Sequence, residues 1–202
     1  MRTERTRAAL AAALLALAVT AGACSDDVQA SDLTGRQVDP PFVVDGTELE
    51  DTSGAPFSLT KSTDERLTLV FFGYTNRPDI CPAVMSNLAA AMTRLSDEDR
   101  DQVQVVFVTT DPARDTPEVL RKYLDRYDTS FTGVLGPIPE VEKVGLSIAV
   151  GLGEKLPSGG YEVDAHTTQV TAIDVDDEAP LYWSQTTSAA QYARDIHTLL
   201  NG

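Results

Sequence analysis

The segment of the sequence best equipped for chemistry surrounds Cys81. A run of apolar and β-forming residues, Leu67 to Tyr74, is followed by a polar loop and then by Cys81-Pro82, where an apolar pattern with helical spacing begins. The partial positive charge of a helix N-terminus stabilises a thiolate, and so does the guanidinium of Arg77, four residues before the cysteine. We therefore predict that the pKa of the Cys81 thiol lies below the usual value of about 8.5. A thiolate is both a nucleophile and a ligand for soft metal ions.

The first residues predict that the chain is exported and then held at a membrane. Residues 1–7 contain three arginines, and residues 8–19 are only Ala, Leu and Val. This pattern is typical of a secretory signal, and the apolar run is shorter than the about 20 residues of a membrane-spanning helix. Small residues then precede Cys24, which resembles a bacterial lipoprotein signal. We predict that residues 1–23 are removed, that Cys24 receives lipid, and that the protein lies on the extracytoplasmic face of the cell membrane. The alternative is ordinary cleavage that leaves Cys24 as an unmodified thiol.

Cysteine usage makes the second thiol unusual. The chain has two cysteines, Cys24 and Cys81, and exported proteins generally place their cysteines in disulfide pairs. If Cys24 carries lipid, Cys81 has no partner in an oxidising compartment. A single thiol in that setting needs an explanation of its own.

The elements that would position Cys81 alternate between strands and helices. Polar residues 24–41 show no apolar period and are predicted to be a tether, which leaves 42–202 as one domain. We predict strands over 42–44 and 57–59, paired as an N-terminal hairpin, and over 67–74, 103–109 and 170–175. Helices are predicted over 82–95, 117–127, 139–149 and 188–202. This order predicts an α/β fold in which helices cover one sheet.

The charge of the chain argues against one class of partner. Removal of residues 1–23 takes away three arginines and one glutamate, so the formal net charge changes from −15 to −17. The phosphates of a nucleic acid would be repelled by such a surface, and we expect no nucleic-acid partner.

Several motifs resemble the SCO (SenC) family, whose members are copper-handling thioredoxin-like domains tied to assembly of the copper centre of cytochrome c oxidase. Residues 72–82 match the family's strand and loop, Phe-Gly-Tyr-Thr-x-Cys-Pro-Asp-x-Cys-Pro, at every fixed position but one. Residues 111–117 are similar to its Asp-Pro-x-Arg-Asp-Thr-Pro segment, and 131–133 and 161–164 also look like family features. The resemblance covers 42–202. It implies a thioredoxin-like α/β sandwich with a central mixed sheet, flanking helices and an N-terminal β-hairpin.

The resemblance also implies a copper site made by two cysteines four residues apart and one distant histidine. In this chain Cys81 matches the second cysteine, His166 matches the histidine, and Arg77 stands at the first cysteine position. Ala165 separates Asp164 from His166, where the family usually has Asp and His adjacent. We predict Cys81 and His166 as ligands of copper, either Cu(I) or Cu(II). The charge of Arg77 would repel the metal unless its side chain turns toward solvent.

Met85 has two interpretations, and four other residues have one expected role each. Met85, one helical turn after Cys81, offers a soft thioether as a substitute ligand, or it packs beside Val84 and Leu88. Asp79 is expected to accept hydrogen bonds in the loop. Asp111 and Asp115 are expected to be turn and cap residues, and His197 is expected on the polar face of the last helix.

We therefore predict a membrane-tethered, copper-binding, metallochaperone-like protein that assists assembly of the cytochrome c oxidase copper centre, rather than an enzyme. Its expected partner is the copper-centre subunit of that oxidase or another copper protein. One alternative is a single-cysteine thiol redox protein that reduces a peroxide or a partner disulfide with help from an external thiol. Another is a degenerate family member that binds a partner without metal.

Overall fold

The computed structural model describes residues 33–153 and 167–202. Across these two ranges, eight strands form one sheet and five helices pack against it. The strands are β1 (Arg36–Val43), β2 (Leu49–Asp51), β3 (Pro56–Phe57), β4 (Leu67–Gly73), β5 (Val103–Thr109), β6 (Thr132–Leu135), β7 (Val170–Ile173) and β8 (Glu178–Trp183). The helices are α1 (Ile80–Met92), α2 (Asp97–Arg100), α3 (Pro117–Leu124), α4 (Ile138–Ser147) and α5 (Ala189–Asn201).

The sheet is mixed, in the order β1-β8-β7-β4-β5-β6-β2-β3. The pairs β4–β5 and β5–β6 are parallel, and the other neighbouring strands run antiparallel. All seven residues of β4 are paired with β5, from Leu67 opposite Val103 to Gly73 opposite Thr109. The carboxyl ends of β4, β5 and β6 therefore meet at one edge of the sheet, where the loop to Cys81 begins.

Both faces of this sheet are covered, because β4 is buried at every position and β5 at every position except Gln104. Side chains alternate between the faces: Leu69 and Phe71 pack with α1, α3 and α5, whereas Val70 and Phe72 pack with α4. The predicted α/β fold class, a central mixed sheet flanked by helices, is confirmed. None of the helices in the described ranges is both long and apolar enough to cross a membrane.

The predicted N-terminal hairpin exists but is built from other residues. β2 and β3 pair antiparallel with Leu49 opposite Phe57, whereas Phe42 pairs with Ala179 of β8 at the opposite edge of the sheet. The prediction that 42–44 pairs with 57–59 was therefore wrong. Two short strands separated by a turn look like one hairpin in a sequence, but here the chain crosses to the other edge after Val43.

The folded domain also starts earlier than predicted. β1 begins at Arg36, so residues 36–41, which we assigned to the tether, belong to the sheet. Most of its side chains are exposed or half-buried, because β1 is an edge strand. The backbone of β1 is satisfied by pairing with β8, and a strand held in that way shows no apolar alternation in its sequence.

A buried carboxylate holds the start of the domain in place. Oδ2 of Asp195, on α5, accepts hydrogen bonds from the backbone N–H and hydroxyl of Thr34, at 2.9 and 2.5 Å, and from the N–H of Gly35, at 3.0 Å. The indole N–H of Trp183 donates to the same oxygen at 2.8 Å. This contact connects the entry of β1 to β8 and to the last helix.

Helix starts agree with the sequence better than helix ends. Thr116 caps α3 with Pro117 in its first turn, and Ser188 forms the predicted capping box with Gln191. The helices predicted over 82–95, 117–127 and 139–149 instead span Ile80–Met92, Pro117–Leu124 and Ile138–Ser147. Apolar residues beyond a helix end continue to pack on the core, so a periodic pattern overestimates helix length.

Candidate metal centre

Cys81 lies in the first turn of α1, as predicted. The helix begins at Ile80, and the carboxylate of Asp79 caps it by accepting a hydrogen bond from the Ile80 N–H at 2.7 Å. The thiol is 0 % exposed. A Cβ atom built on Gly73 would lie 2.9 Å from Cys81 Sγ and 3.0 Å from the Phe71 ring. Only a glycine at the end of β4 therefore lets the sulfur rest against the strand.

The thiol is harder to ionise than the sequence predicts. Burial raises the pKa of Cys81 above its ordinary value, and this effect outweighs the Tyr74 N–H and the Arg77 guanidinium, which lower it. The carboxylates of Asp79 and Asp115 raise this pKa further. Our prediction of a depressed pKa was wrong, because the sequence reveals a helix N-terminus and a nearby cation but not the depth at which the sulfur is buried.

Arg77 remains beside the cysteine rather than extending into solvent. The residue is 6 % exposed, and its Nε lies 3.3 Å from Oδ1 of Asp79. Its Cζ lies 6.0 Å from the centroid of the Tyr74 ring, and Cζ of Arg114 lies at the same distance from that ring. The positive charge of Arg77 is thus held within the loop that leads to Cys81.

A second buried carboxylate fastens this loop to the sheet. Asp115 is fully buried and accepts hydrogen bonds from the N–H of Thr75 at 2.9 Å, the hydroxyl of Thr75 at 2.5 Å and the hydroxyl of Thr109 at 2.6 Å. The N–H of Thr110 also donates to the carbonyl of Gly73 at 2.7 Å. These contacts join the end of β4 to the end of β5 and define where the Cys81 loop starts.

The comparisons with known proteins agree with this geometry. The family model described as SCO1/SenC matches residues 35–201. The chain belongs to the SCO1/SenC family. A protein of Stutzerimonas stutzeri that is named for copper binding is 38 % identical over 144 residues, covering 71 % of this chain and 67 % of its own length. The chain spans about a third of the length of the yeast mitochondrial relatives that it matches.

Solved SCO structures share the fold. Apo Sco1 from Thermus thermophilus is 30 % identical with a TM-score of 0.73, and the match covers 83 % of this chain and 96 % of that one. ScoI from Bradyrhizobium japonicum, solved with copper bound, is 28 % identical with a TM-score of 0.65, covering 78 % and 99 % of the two chains. The SCO1/SenC domain is thus thioredoxin-like in this protein, as the resemblance implied.

The predicted SCO copper ligands are only partly within the described structure. Cys81 is present, but His166 and the motif at 161–164 lie outside the described residues, as does Cys24. Within 33–153 and 167–202, no group of three or more His, Cys, Asp or Glu side chains is arranged to hold a metal ion. The pairing of Cys81 with His166 stays a prediction.

Two other residues considered at the sequence level have structural surroundings of their own. Met85 is fully buried in the core cluster that also contains Cys81, Val84 and Leu88, as the packing interpretation expects. His197 lies on α5 and pairs through Nδ1 with Oδ2 of Asp99 on α2, at 2.7 Å. That contact connects two helices.

Sequence reasoning missed three contributors to the site. Gly73 leaves space for the sulfur of Cys81. Asp115 binds the loop before Cys81 and is not only a cap. Arg114 and Arg77 both lie near the ring of Tyr74. Asp115 and Arg114 both lie in the 111–117 segment that resembles the family, and Gly73 lies in its strand motif. The motifs therefore marked the right segments, whereas the role of each side chain depended on contacts across the sheet.

Proposed function

We propose that this protein handles copper as cargo during assembly of the copper centre of cytochrome c oxidase, with Cys81 as its cysteine ligand. The observation that carries the proposal is the SCO1/SenC match over residues 35–201 with Cys81 retained at the start of α1. A relative named for copper binding and a copper-bound ScoI of the same fold support it. The partner is the copper-centre subunit of the oxidase or another copper protein.

The chemistry of the site favours weak rather than tight binding. Copper binds thiolate, so the metal must displace the proton of Cys81, whose pKa is raised by burial, and that proton passes to solvent. The charge of Arg77, held beside the loop by Asp79, opposes a metal cation. We propose His166 as the second ligand. A copper ion held by two ligands and repelled by one positive charge is bound weakly. Weak binding suits a protein that passes its metal on to another.

The thiol redox alternative is less well supported. A nucleophilic thiol must be ionised and reachable by a peroxide or a partner disulfide. Cys81 is fully buried and its pKa is raised. Both properties slow attack by sulfur, and the copper function needs neither a permanently ionised nor a permanently exposed thiol.

We also propose that the protein lies outside the cytoplasm. The apolar run at 8–19 and the small residues before Cys24 support export and lipid attachment at Cys24. Because Thr34 is bound to Asp195, about ten residues separate Cys24 from the first residue held in the fold. Labelling with a radioactive fatty acid tests this part: the chain should be labelled and recovered with membranes, and Cys24→Ser should lose both properties.

The decisive test is an anaerobic Cu(I) titration against a competing chelator. It uses chains that carry Cys24→Ser, so that Cys81 is the only thiol. Cys81→Ser and His166→Ala should weaken binding, and Arg77→Cys should strengthen it by restoring the family's cysteine pair. His197→Ala is the matched control for His166→Ala, because His197 is the other histidine of the chain. Met85→Leu should match the parent if Met85 only packs in the core.

Two outcomes would contradict the proposal. Equal weak binding by the parent, Cys81→Ser, His166→Ala and Arg77→Cys would exclude copper handling through this site. A gain in Arg77→Cys without any loss in the other variants would identify a degenerate member whose natural site no longer binds copper.

A further inference from the structure

A concave surface lies at the same edge of the sheet as the Cys81 loop. It is a cavity of about 430 Å³ beyond the carboxyl ends of β5 and β6. Its apolar lining comes from the β2–β3 hairpin, the turn after β5 and the connection from β6 to α4, and consists of Leu49, Pro56, Pro112, Leu135 and Pro137. Its volume suits one or two side chains of a partner segment. We name this surface the edge groove.

The edge groove carries three negative charges and no positive one. Glu48, Glu50 and Glu140 line it, are exposed, and form no hydrogen bond or ion pair through their carboxylates with any residue of the described ranges. No Lys, Arg or His belongs to its lining. Three carboxylates around one apolar cavity repel each other, and a cation placed among them relieves that repulsion.

The register of the sheet shows how charge and apolar surface are combined. Glu50 of β2 lies directly between its cross-strand neighbours Pro56 of β3 and Leu135 of β6. Cross-strand neighbours project from the same face of a sheet. An acidic side chain therefore lies in the middle of an apolar strip, and a ligand that covers the strip gains from a positive group at this position.

The edge groove is connected to the Cys81 loop through a single turn. Pro112 lines the groove, and in the same turn Asp115 accepts two hydrogen bonds from Thr75. Arg114 pairs with Asp111 and lies 6.0 Å from the ring of Tyr74. A segment seated in the edge groove thus touches the turn that packs on the loop before Cys81.

We propose that the edge groove docks a segment of the protein that accepts copper, and that this segment presents a lysine or arginine flanked by apolar side chains. The identity of the partner rests on the proposed function, whereas the chemistry of the segment rests on the groove alone. Docking at this edge holds the acceptor beside the Cys81 loop while the metal is transferred. Opposite charge also speeds the encounter, since the chain carries a formal net charge of −15.

The probe is an end-blocked heptapeptide with one arginine between two leucines, added to the full chain carrying Cys24→Ser. Backbone amide signals in 48–56, 111–115 and 135–140 should shift in NMR spectra, and the affinity should fall as salt is raised. The triple variant Glu48→Gln, Glu50→Gln, Glu140→Gln should bind about tenfold more weakly, since each exposed charge pair is worth roughly a factor of two to five.

A matched triple variant, Glu65→Gln, Glu98→Gln, Glu178→Gln, changes the net charge equally without touching the groove, and should bind like the parent. Three results would overturn the proposal. They are amide shifts at other surfaces, equal binding of a peptide with glutamate in place of arginine, and equal loss of affinity in both triple variants. So would concentration-dependent shifts of the groove amides without peptide, which would indicate a second copy of the chain. The groove triple variant should keep parental Cu(I) affinity, so a failure of docking and a failure of copper binding are separate results.

Discussion

Two fully buried carboxylates, Asp115 and Asp195, each join distant parts of the chain, but they do different work. Asp115 uses both oxygens and binds Thr75 and Thr109 at the start of the Cys81 loop. Asp195 concentrates four hydrogen bonds on Oδ2, while its Oδ1 has no hydrogen-bond partner in the described structure and lies 3.6 Å from Nε of Arg194. One carboxylate positions a candidate site, and the other closes the domain at its entry.

The largest expected effect is loss of the Asp195 contact. Asp195→Ala leaves the Trp183 indole N–H, which is fully buried, without an acceptor, and releases Thr34 and Gly35 from α5. Buried donors left without partners cost about 1 to 3 kcal/mol each, so we expect about 3 kcal/mol lower stability. Urea unfolding followed by circular dichroism and by the fluorescence of the single tryptophan measures it.

A smaller loss, with a local consequence, is expected for Asp115→Ala. The hydroxyls of Thr75 and Thr109 can rotate toward other acceptors, so we expect about 2 kcal/mol lower stability. The Cys81 loop should also loosen, and the thiol should react faster with a disulfide reagent in the absence of urea. Asp195→Ala is the control: equal acceleration in both variants would mean that neither carboxylate is specific to the site.

The positive charge of Arg77 lies beside a buried cysteine, which ordinary core packing would not provide. Arg77 lowers the pKa of Cys81, so Arg77→Gln should raise that pKa further, because a neutral side chain no longer stabilises the thiolate. The pH dependence of alkylation in a Cys24→Ser chain measures the change. Arg114→Gln, which removes the other cation near Tyr74, should leave the profile nearly unchanged. A pKa that stays constant or falls in Arg77→Gln would show that the guanidinium does not stabilise the thiolate.

The smallest effect concerns a third carboxylate, Asp99, which joins α2 to α5. Hydrogen bonds from Asn201 and His197 hold its pKa below the ordinary 3.8. A carboxyl with a lowered pKa stabilises the fold above its unfolded pKa, and this contribution is lost as the pH falls through the folded pKa. The stability difference between the parent and Asp99→Asn should therefore shrink as the pH falls below 3.8. A difference that grows on acidification would contradict the assignment.

Continuous apolar runs were the most informative part of the sequence. β5 was predicted with its observed bounds and β4 to within one residue, because strands covered on both faces are apolar at most of their positions. The capping box of α5 was also readable, since it depends on two residues three apart. β1 was missed because its stability comes from pairing with β8 and from the contact of Asp195 with Thr34, and neither leaves a local pattern.

The sequence by itself determined the α/β class, the place of Cys81 at a helix start and the family, because each depends on residue types at short spacing. The tertiary structure decided the ionisation of that cysteine, the direction of Arg77 and the role of Asp115. Cys81 is buried against Gly73, and Arg77 contacts Asp79 and Tyr74. The distances between these residues in space do not follow from their order in the sequence. The packing around the sulfur excludes water from it. This desolvation raises the pKa of Cys81, although a helix N-terminus and a neighbouring cation are expected to lower it.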